Sequence, residues 1–332
     1  MTGAPVIVSC GEPAGVGPEV AAKAWQTLRA KLPFVWLGDP AHLPPGTPWQ
    51  AVSHLAEAAS VAPHALPVLP HPFPAPATPG QPAAANAAEV IAVIARAVAL
   101  VRAGDAAALC TAPIHKGALH DGAGFPFPGH TEYLAHLAGD VPVVMMLASE
   151  AVSPPLRVVP ATIHIALSAV PRAFTPDLLR ETIRLTGAAL RDDFGIAAPR
   201  IAVAGLNPHA GEGGAMGGEE GDWIAPLLAQ LRAEGQLVSG PHPADTLFHP
   251  VARARYDAVI CAYHDQALIP IKTLDFAGGV NLTLGLPFVR TSPDHGTAFD
   301  IAGQNLADPA SMIAALEMAA RLGARRAKRA AL

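Results

Sequence analysis

Cysteine is scarce in this sequence. There are three among 332 residues, Cys10, Cys110 and Cys261, and none sits in a CxxC. The odd, unpatterned set excludes a disulfide framework. Each closes an apolar run ("VIVSC", "AALC", "VIC"), where a small buried side chain serves packing. Charge is sparse as well, at 15 % of residues with a net −5 and a pI near 6.3. That lacks the basic footprint of a nucleic-acid binder. The exception is the tail "ARLGARRAKRAAL", and cations at the end of a last helix suit its dipole. Long apolar runs are missing too, although hydrophobic residues make up 51 % and mean hydropathy is +0.32. No stretch reaches the roughly 18 uncharged apolar residues of a membrane span. "AAEVIAVIARAVALVRAG" carries Glu89, Arg96 and Arg102 and reads as a packed amphipathic helix. The start "MTGAPVIVSCGE" has no basic region and enters a strand at once, so no signal peptide, no membrane and a cytoplasmic location are expected.

What is present is alternation. Strand-like runs (Pro5–Ser9, "FVWLGD", "AALCTAP", "VPVVMMLA", "LRVVPAT", "RIAVAGL", "DAVICA") alternate with segments of helical spacing, which predicts an α/β fold on a parallel sheet. Pro18 stands where a first helix begins. Thr175-Pro176-Asp177 combines a cap, a first-turn proline and an early acid. A last helix is expected from Asp308-Pro309 to about Leu322. Residues 40–82 are proline-rich, with eight prolines from Pro63 to Pro82, and read as loop and extended surface chain with short edge strands.

Three histidines arrive at or just past strand ends: His164 after "LRVVPAT", His209 after "RIAVAGL" and His264 after "DAVICA". In open α/β sheets ligands bind at the carboxyl ends of strands. If those ends are neighbours, three neutral imidazoles suit a divalent transition metal with a position open for substrate. The spacing carries no local signature such as HExxH, and loop-capping histidines are the competing reading. Asp265 and Asp245 can orient a ligand or take a proton, or bond their own turns.

A second group suits an anion. "FPFPGHTEYLAHL" puts Gly129, His130 and Thr131 at a helix start, where free N–H groups bind phosphate or carboxylate. Lys272, Asn281 and Arg290 follow the His264 strand. Arg290 reads as lying at a strand end, and an arginine fork grips such anions in two places. In "SCGEPAGVGPEV" the glycines at 11, 15 and 17 follow a strand and precede a helix, but the spacing is neither GxGxxG nor a P-loop.

Together these stretches resemble the 4-hydroxythreonine-4-phosphate dehydrogenase family of vitamin B6 (pyridoxal phosphate) biosynthesis. The carrying motifs are "GEPAGVGPEV", "TAPIHKGAL", "FPGHTEYLA", "GLNPHAGEGG", "GPHPADTLF", "YDAVICAYHDQALIPIK" and "VNLTLGLPFVRTSPDHGTAFDIAG", between residues 11 and 303. A wider likeness joins the first and last of them to isopropylmalate and isocitrate dehydrogenases, which bind a nicotinamide cofactor without the usual fingerprint. The resemblance implies two α/β/α domains with the active site in a cleft between them. Residues 1–128 with 288–332 would form the cofactor side, and 129–287 the dimerising, metal and substrate side. It implies one divalent metal (zinc, magnesium or cobalt) held by His164, His209 and His264 from both chains of a homodimer. It implies a small phosphorylated substrate at His130, Thr131, Lys272, Asn281 and Arg290, and a base among Lys272, Asp245, Asp265 or water. NAD or NADP would lie against His295, Gly296, Thr297, Ala298, Asp300 and Asp308. The last is a departure, since those relatives usually carry asparagine before the final proline. The implied reaction is oxidation of 4-phosphohydroxy-L-threonine. The alternatives are a sugar-acid phosphate dehydrogenase (threonate or erythronate 4-phosphate), a three-histidine zinc hydrolase and a non-catalytic metabolite binder.

Overall fold

The computed structural model describes residues 3–330, which fold into two compact units: residues up to 143 with those from 286 onward, and residues 144–285. The first unit begins with β1 (Val6–Ser9), α1 (Gly17–Leu28), β2 (Phe34–Gly38), β3 (Trp49–Ala51), α2 (Ala58–Val61) and β4 (Leu66–Pro70). It continues through α3 (Ala87–Ala103), β5 (Ala108–Thr111), α4 (Lys116–Ala123) and α5 (His130–Leu137). The second unit holds β6 (Val144–Ser149), β7 (Leu156–Pro160), α6 (Val170–Ala173), α7 (Pro176–Asp192), β8 (Ile201–Ala204) and α8 (Ala225–Ala233). After these come β9 (Val238–His242), α9 (Pro250–Arg253), β10 (Ala258–Cys261), α10 (His264–Leu274) and β11 (Val280–Leu284). The chain then returns to the first unit for β12 (Arg290–Pro293) and α11 (Ala310–Ala330).

In the first unit the strands run β3-β4-β2-β1-β5-β12, and every pairing is parallel. Trp25 of α1, Phe34 and Trp36 of β2 and Ile94 of α3 are fully buried there. By length and composition the segment Ala84–Ala103 would suffice to cross a bilayer. Its Val90, Val93, Ile94, Ala97 and Val98 are instead buried in the core. The proline-rich stretch supplies β3 and β4, and its turn at Thr78–Gln81 donates the Gly80 N–H to the Ala14 carbonyl at 2.8 Å.

In the second unit the order is β11-β6-β7-β10-β8-β9. Here the expected parallel arrangement is broken, because β6 runs antiparallel to both β7 and β11. The cause is chain length: residues 150–155 between β6 and β7 are too few for a crossover helix, so β7 must turn straight back. From β7 onward, β7, β10, β8 and β9 are parallel, which sets three carboxyl ends side by side. Leu147, Val158, Ala202, Val259, Leu268 and Ile271 form the core beneath them.

Two local expectations change. The last helix runs to Ala330 and not to Leu322, since "ARRAKRA" is made of strong helix formers with cations in the final turn. Arg290 is the first residue of β12, not its last.

Candidate active site

The strand order brings the three histidine-bearing ends together. His164 follows β7, His209 follows β8 and His264 opens α10 directly after β10, the strand between them. The His164 and His264 rings lie 5.8 Å apart between centroids. Nδ1 of His264 is 2.7 Å from Oδ1 of Asp265. A carboxylate only accepts, so Nδ1 carries the hydrogen and Nε2 is the ring nitrogen able to ligate. Asp265 therefore orients the ring. His209 does not join this pair: among the described residues, no three His, Cys, Asp or Glu side chains stand close enough to hold an ion. Two imidazoles at one sheet end, one of them carboxylate-oriented, fit part of a zinc- or cobalt-like coordination sphere.

Backbone strain marks the same residues. His164 (φ 55°) and His209 (φ 52°) both adopt the left-handed conformation, which costs a non-glycine residue of order 1–3 kcal/mol. His209 begins a run of positive-φ residues through Gly214. Glu220 holds that loop. It is buried, and its carboxylate accepts from the Asn207 backbone N–H at 2.7 Å and from Asn207 Nδ2 at 2.9 Å. A Cβ on Gly211 would stand 2.7 Å from Glu220 Oε2, so only glycine lets the loop fold onto the carboxylate. Glu220 opens a π-helical turn (Glu220–Ile224), a local irregularity that often accompanies function.

The anion group splits between the units. Lys272, in the last turn of α10, and Asn281, on β11, belong to the second unit. Lys272 Nζ lies 5.6 Å from the Phe276 ring centroid, and an open depression on α10 is lined by His264, Asp265, Leu268, Ile269, Lys272 and Thr273. Asp245 is exposed in a short 3₁₀ turn (Ala244–Thr246).

In the first unit His130 and Thr131 open α5, and Arg290 is buried. The guanidinium donates to the Thr111 hydroxyl through Nη2 at 2.7 Å and Nε at 3.2 Å. Burial pushes the Arg290 pKa down to about 10, so it remains a cation at neutral pH. His130 keeps its Nε2 buried without a protein hydrogen-bond partner. Burial, and then the positive charges of Arg290 and Lys116, hold its pKa well below the usual histidine value. Lys116 is a residue that the sequence reading passed over. It starts α4, and a Cβ on Gly129 would stand 3.2 Å from its Cε, so the glycine before α5 makes room for it. Its place in "TAPIHKGAL", just past the β5 strand end, was the signal available. A buried guanidinium, a lysine and a neutral imidazole at a helix N-terminus attract a dianion such as phosphate.

The expected cofactor residues lie opposite the first glycine loop. The Val16 N–H donates to the Thr297 carbonyl at 2.9 Å, and a Cβ on Gly15 would stand 2.9 Å from that same oxygen. The odd glycine spacing at 11–17 thus serves loop-on-loop packing. Ala298 is left-handed (φ 44°), Gly296 faces open space, and His295 carries a buried Nε2 without a protein hydrogen-bond partner. An orphaned ring nitrogen beside an open glycine fits the polar edge of a nucleotide. The Asp300 carbonyl accepts from Gln304 Nε2. Asp308 accepts from the Ala310 N–H and caps α11. All three cysteines are buried, and burial drives their thiol pKa values up, that of Cys110 to about 12, so none is a thiolate nucleophile.

The family described as pyridoxal phosphate biosynthetic protein PdxA matches residues 29–319. The chain is 68 % identical to the 4-hydroxythreonine-4-phosphate dehydrogenase of Paracoccus denitrificans over 322 residues, covering 97 % of this chain and 98 % of that one. It is 66 % identical to the enzyme of the same name from Ruegeria sp., covering 96 % and 97 %. Among solved structures, the 4-hydroxythreonine-4-phosphate dehydrogenase of Klebsiella pneumoniae superposes with a TM-score of 0.87 at 40 % identity, covering 96 % of this chain and 99 % of that one.

Proposed function

The chain belongs to the PdxA family of pyridoxal phosphate biosynthetic proteins, and from that premise we propose that it oxidises 4-phosphohydroxy-L-threonine with NAD or NADP. The nicotinamide would supply the acceptor for a hydride from the carbon bearing the secondary hydroxyl, and the hydroxyl proton would pass to a base. The product, 2-amino-3-oxo-4-(phosphooxy)butanoate, is a β-keto acid. It loses carbon dioxide to give 3-amino-2-oxopropyl phosphate. The enzyme acts in the cytoplasm.

The observation that carries the reading is the cluster of two cations, Arg290 and Lys116, with the neutral His130 imidazole at the start of α5. It is matched to a phosphate, and Arg290 and His130 hold that group and set the register of the substrate. Thr131, Lys272 and Asn281 complete substrate binding. His164, His209 and His264, contributed by both chains, would hold a divalent ion, which would supply Lewis acidity to the substrate hydroxyl. The enzyme is a homodimer in which both chains contribute those histidines. Ile165 and Leu167 beside His164, and Ile269, Leu274 and Phe276 on and after α10, are exposed apolar side chains that favour a partner there. Asp265 is engaged in orienting His264, which leaves Lys272, Asp245 or water as the base.

The direct test is reduced-cofactor absorbance with 4-phosphohydroxythreonine, run beside threonate and erythronate 4-phosphates. Faster turnover of a sugar-acid phosphate would reassign the substrate. Chelation with EDTA should abolish turnover and added zinc, cobalt or magnesium should restore it; full activity after stripping removes the metal from the scheme. Arg290→Ala should raise KM for the phosphorylated substrate roughly ten- to hundredfold, the worth of a charged hydrogen bond, and leave KM for the cofactor nearly unchanged.

A further inference from the structure

The β-ladders stop short of the histidines. The last β10–β8 pair is Ile260 with Val203, and the last β10–β7 pair is Cys261 with Pro160. Beyond them, backbone bonds still join β10 to the β7 end (the Ala161 N–H to the Cys261 carbonyl at 2.8 Å and the Thr162 N–H to the Ala262 carbonyl at 3.2 Å), while toward β8 a side chain takes over the cross-strand bonding. The Ala262 N–H donates to Gln266 Oε1 at 2.7 Å, and Gln266 Nε2 donates to the Gly205 carbonyl at 2.8 Å. On the other side, the Thr162 hydroxyl donates to the Ala262 carbonyl at 2.8 Å. Only one orientation of the Gln266 amide satisfies both of its partners, since one is a donor and the other an acceptor.

Gly205, Ala262 and Thr162 lie just before His209, His264 and His164 in the chain. We infer that Gln266 is a positioning residue that ties the His209-bearing end of β8 to the His264-bearing end of β10, with Thr162 extending the tie to the His164 end of β7. This inference rests on the metal reading above. A metal site tolerates little play in its donors, and partners that orient ligands typically carry 10- to 100-fold of metal affinity. The tie also explains why three ligands far apart in the chain need no local motif: the Gln266 amide spans the β8 and β10 ends, and two backbone bonds with the Thr162 hydroxyl span the β7 and β10 ends. It acts within each chain, so it serves equally when a second copy completes the coordination.

The test is cobalt titration of the metal-stripped full-length protein, following the cobalt absorption bands, with thermal melting of the same samples. Gln266→Leu removes both bonds. Gln266→Glu keeps the acceptor for Ala262 but turns a carboxylate toward the Gly205 carbonyl, cutting the tie on the His209 side alone and providing a second variant should the first not fold. Tyr256→Phe is the control. It deletes a buried hydrogen bond of the same unit (to the Leu247 carbonyl, 2.9 Å) that touches no histidine-bearing strand end. His264→Ala reports on the metal site itself. The expected result is that both Gln266 variants bind cobalt about 10- to 100-fold more weakly with altered bands. Tyr256→Phe should melt earlier but bind cobalt as the parent does. Parental affinity and bands in both Gln266 variants, with cobalt lost in His264→Ala, would overturn the inference while leaving the metal reading intact. Parental binding in His264→Ala as well would overturn both.

Discussion

His130 shows how much a single residue's setting can decide. In sequence it is one of 14 histidines. In the fold, burial and the cations Arg290 of β12 and Lys116 of α4 hold it neutral well below the ordinary value. Below about pH 6.5 the unfolded chain takes up a proton that the folded ring refuses. His130 therefore imposes no cost above that pH and a growing cost below it, so stability rises with pH across this window. Melting temperature should fall more steeply between about pH 7 and pH 5 in the parent than in His130→Gln, which cannot titrate. Inorganic phosphate should flatten the parent's slope, because an anion favours the charged ring. Parallel slopes in parent and variant would mean that the ring is not held neutral. His130 was picked out from sequence by its place at a helix start, whereas Lys116 was not, because its approach to His130 across Gly129 depends on how α4 and α5 pack.

Loops and strand ends carry the chemistry at the scale of elements. Gly11 is left-handed (φ 68°), and a Cβ there would land on the carbonyl oxygen of Pro113. Gly11→Ala should therefore cost about 3 kcal/mol or more, from backbone strain with a backbone clash added. Denaturant unfolding measures this, and a loss below about 1 kcal/mol would show that the loop relaxes freely. Most elements were legible from pattern: Pro18 and Thr175-Pro176-Asp177 mark real helix starts, and the apolar runs before Cys10, Cys110 and Cys261 are central strands. The antiparallel β6 was not read, since apolar runs look alike in either direction and only the six-residue link to β7 betrays it. The left-handed run after Pro208 was also hidden, because its Gly-rich sequence permits many conformations and the buried Glu220 carboxylate selects one.

For the molecule as a whole the question is how many copies complete a site. Ile269 is 63 % and Phe276 78 % exposed beside the His264 helix. Sedimentation should find a species of twice the 34.0 kDa chain mass. Phe276→Asp with Ile269→Asp should shift it toward the single-chain mass and weaken cobalt binding in parallel. A double variant that stays dimeric would place the interface elsewhere. By itself, the sequence determined the alternation of strands and helices, the glycines that certain turns demand, and which side-chain types stand where strands end. Those follow from local periodicity and steric allowance, which need only near neighbours in the chain. Only the tertiary structure decided that β10 lies between β7 and β8, that Lys116 reaches over Gly129 toward His130, and that Gln266 spans two strand ends. These are contacts between residues far apart in the chain, and strand order in a sheet is chosen by packing of the whole unit rather than by any one segment.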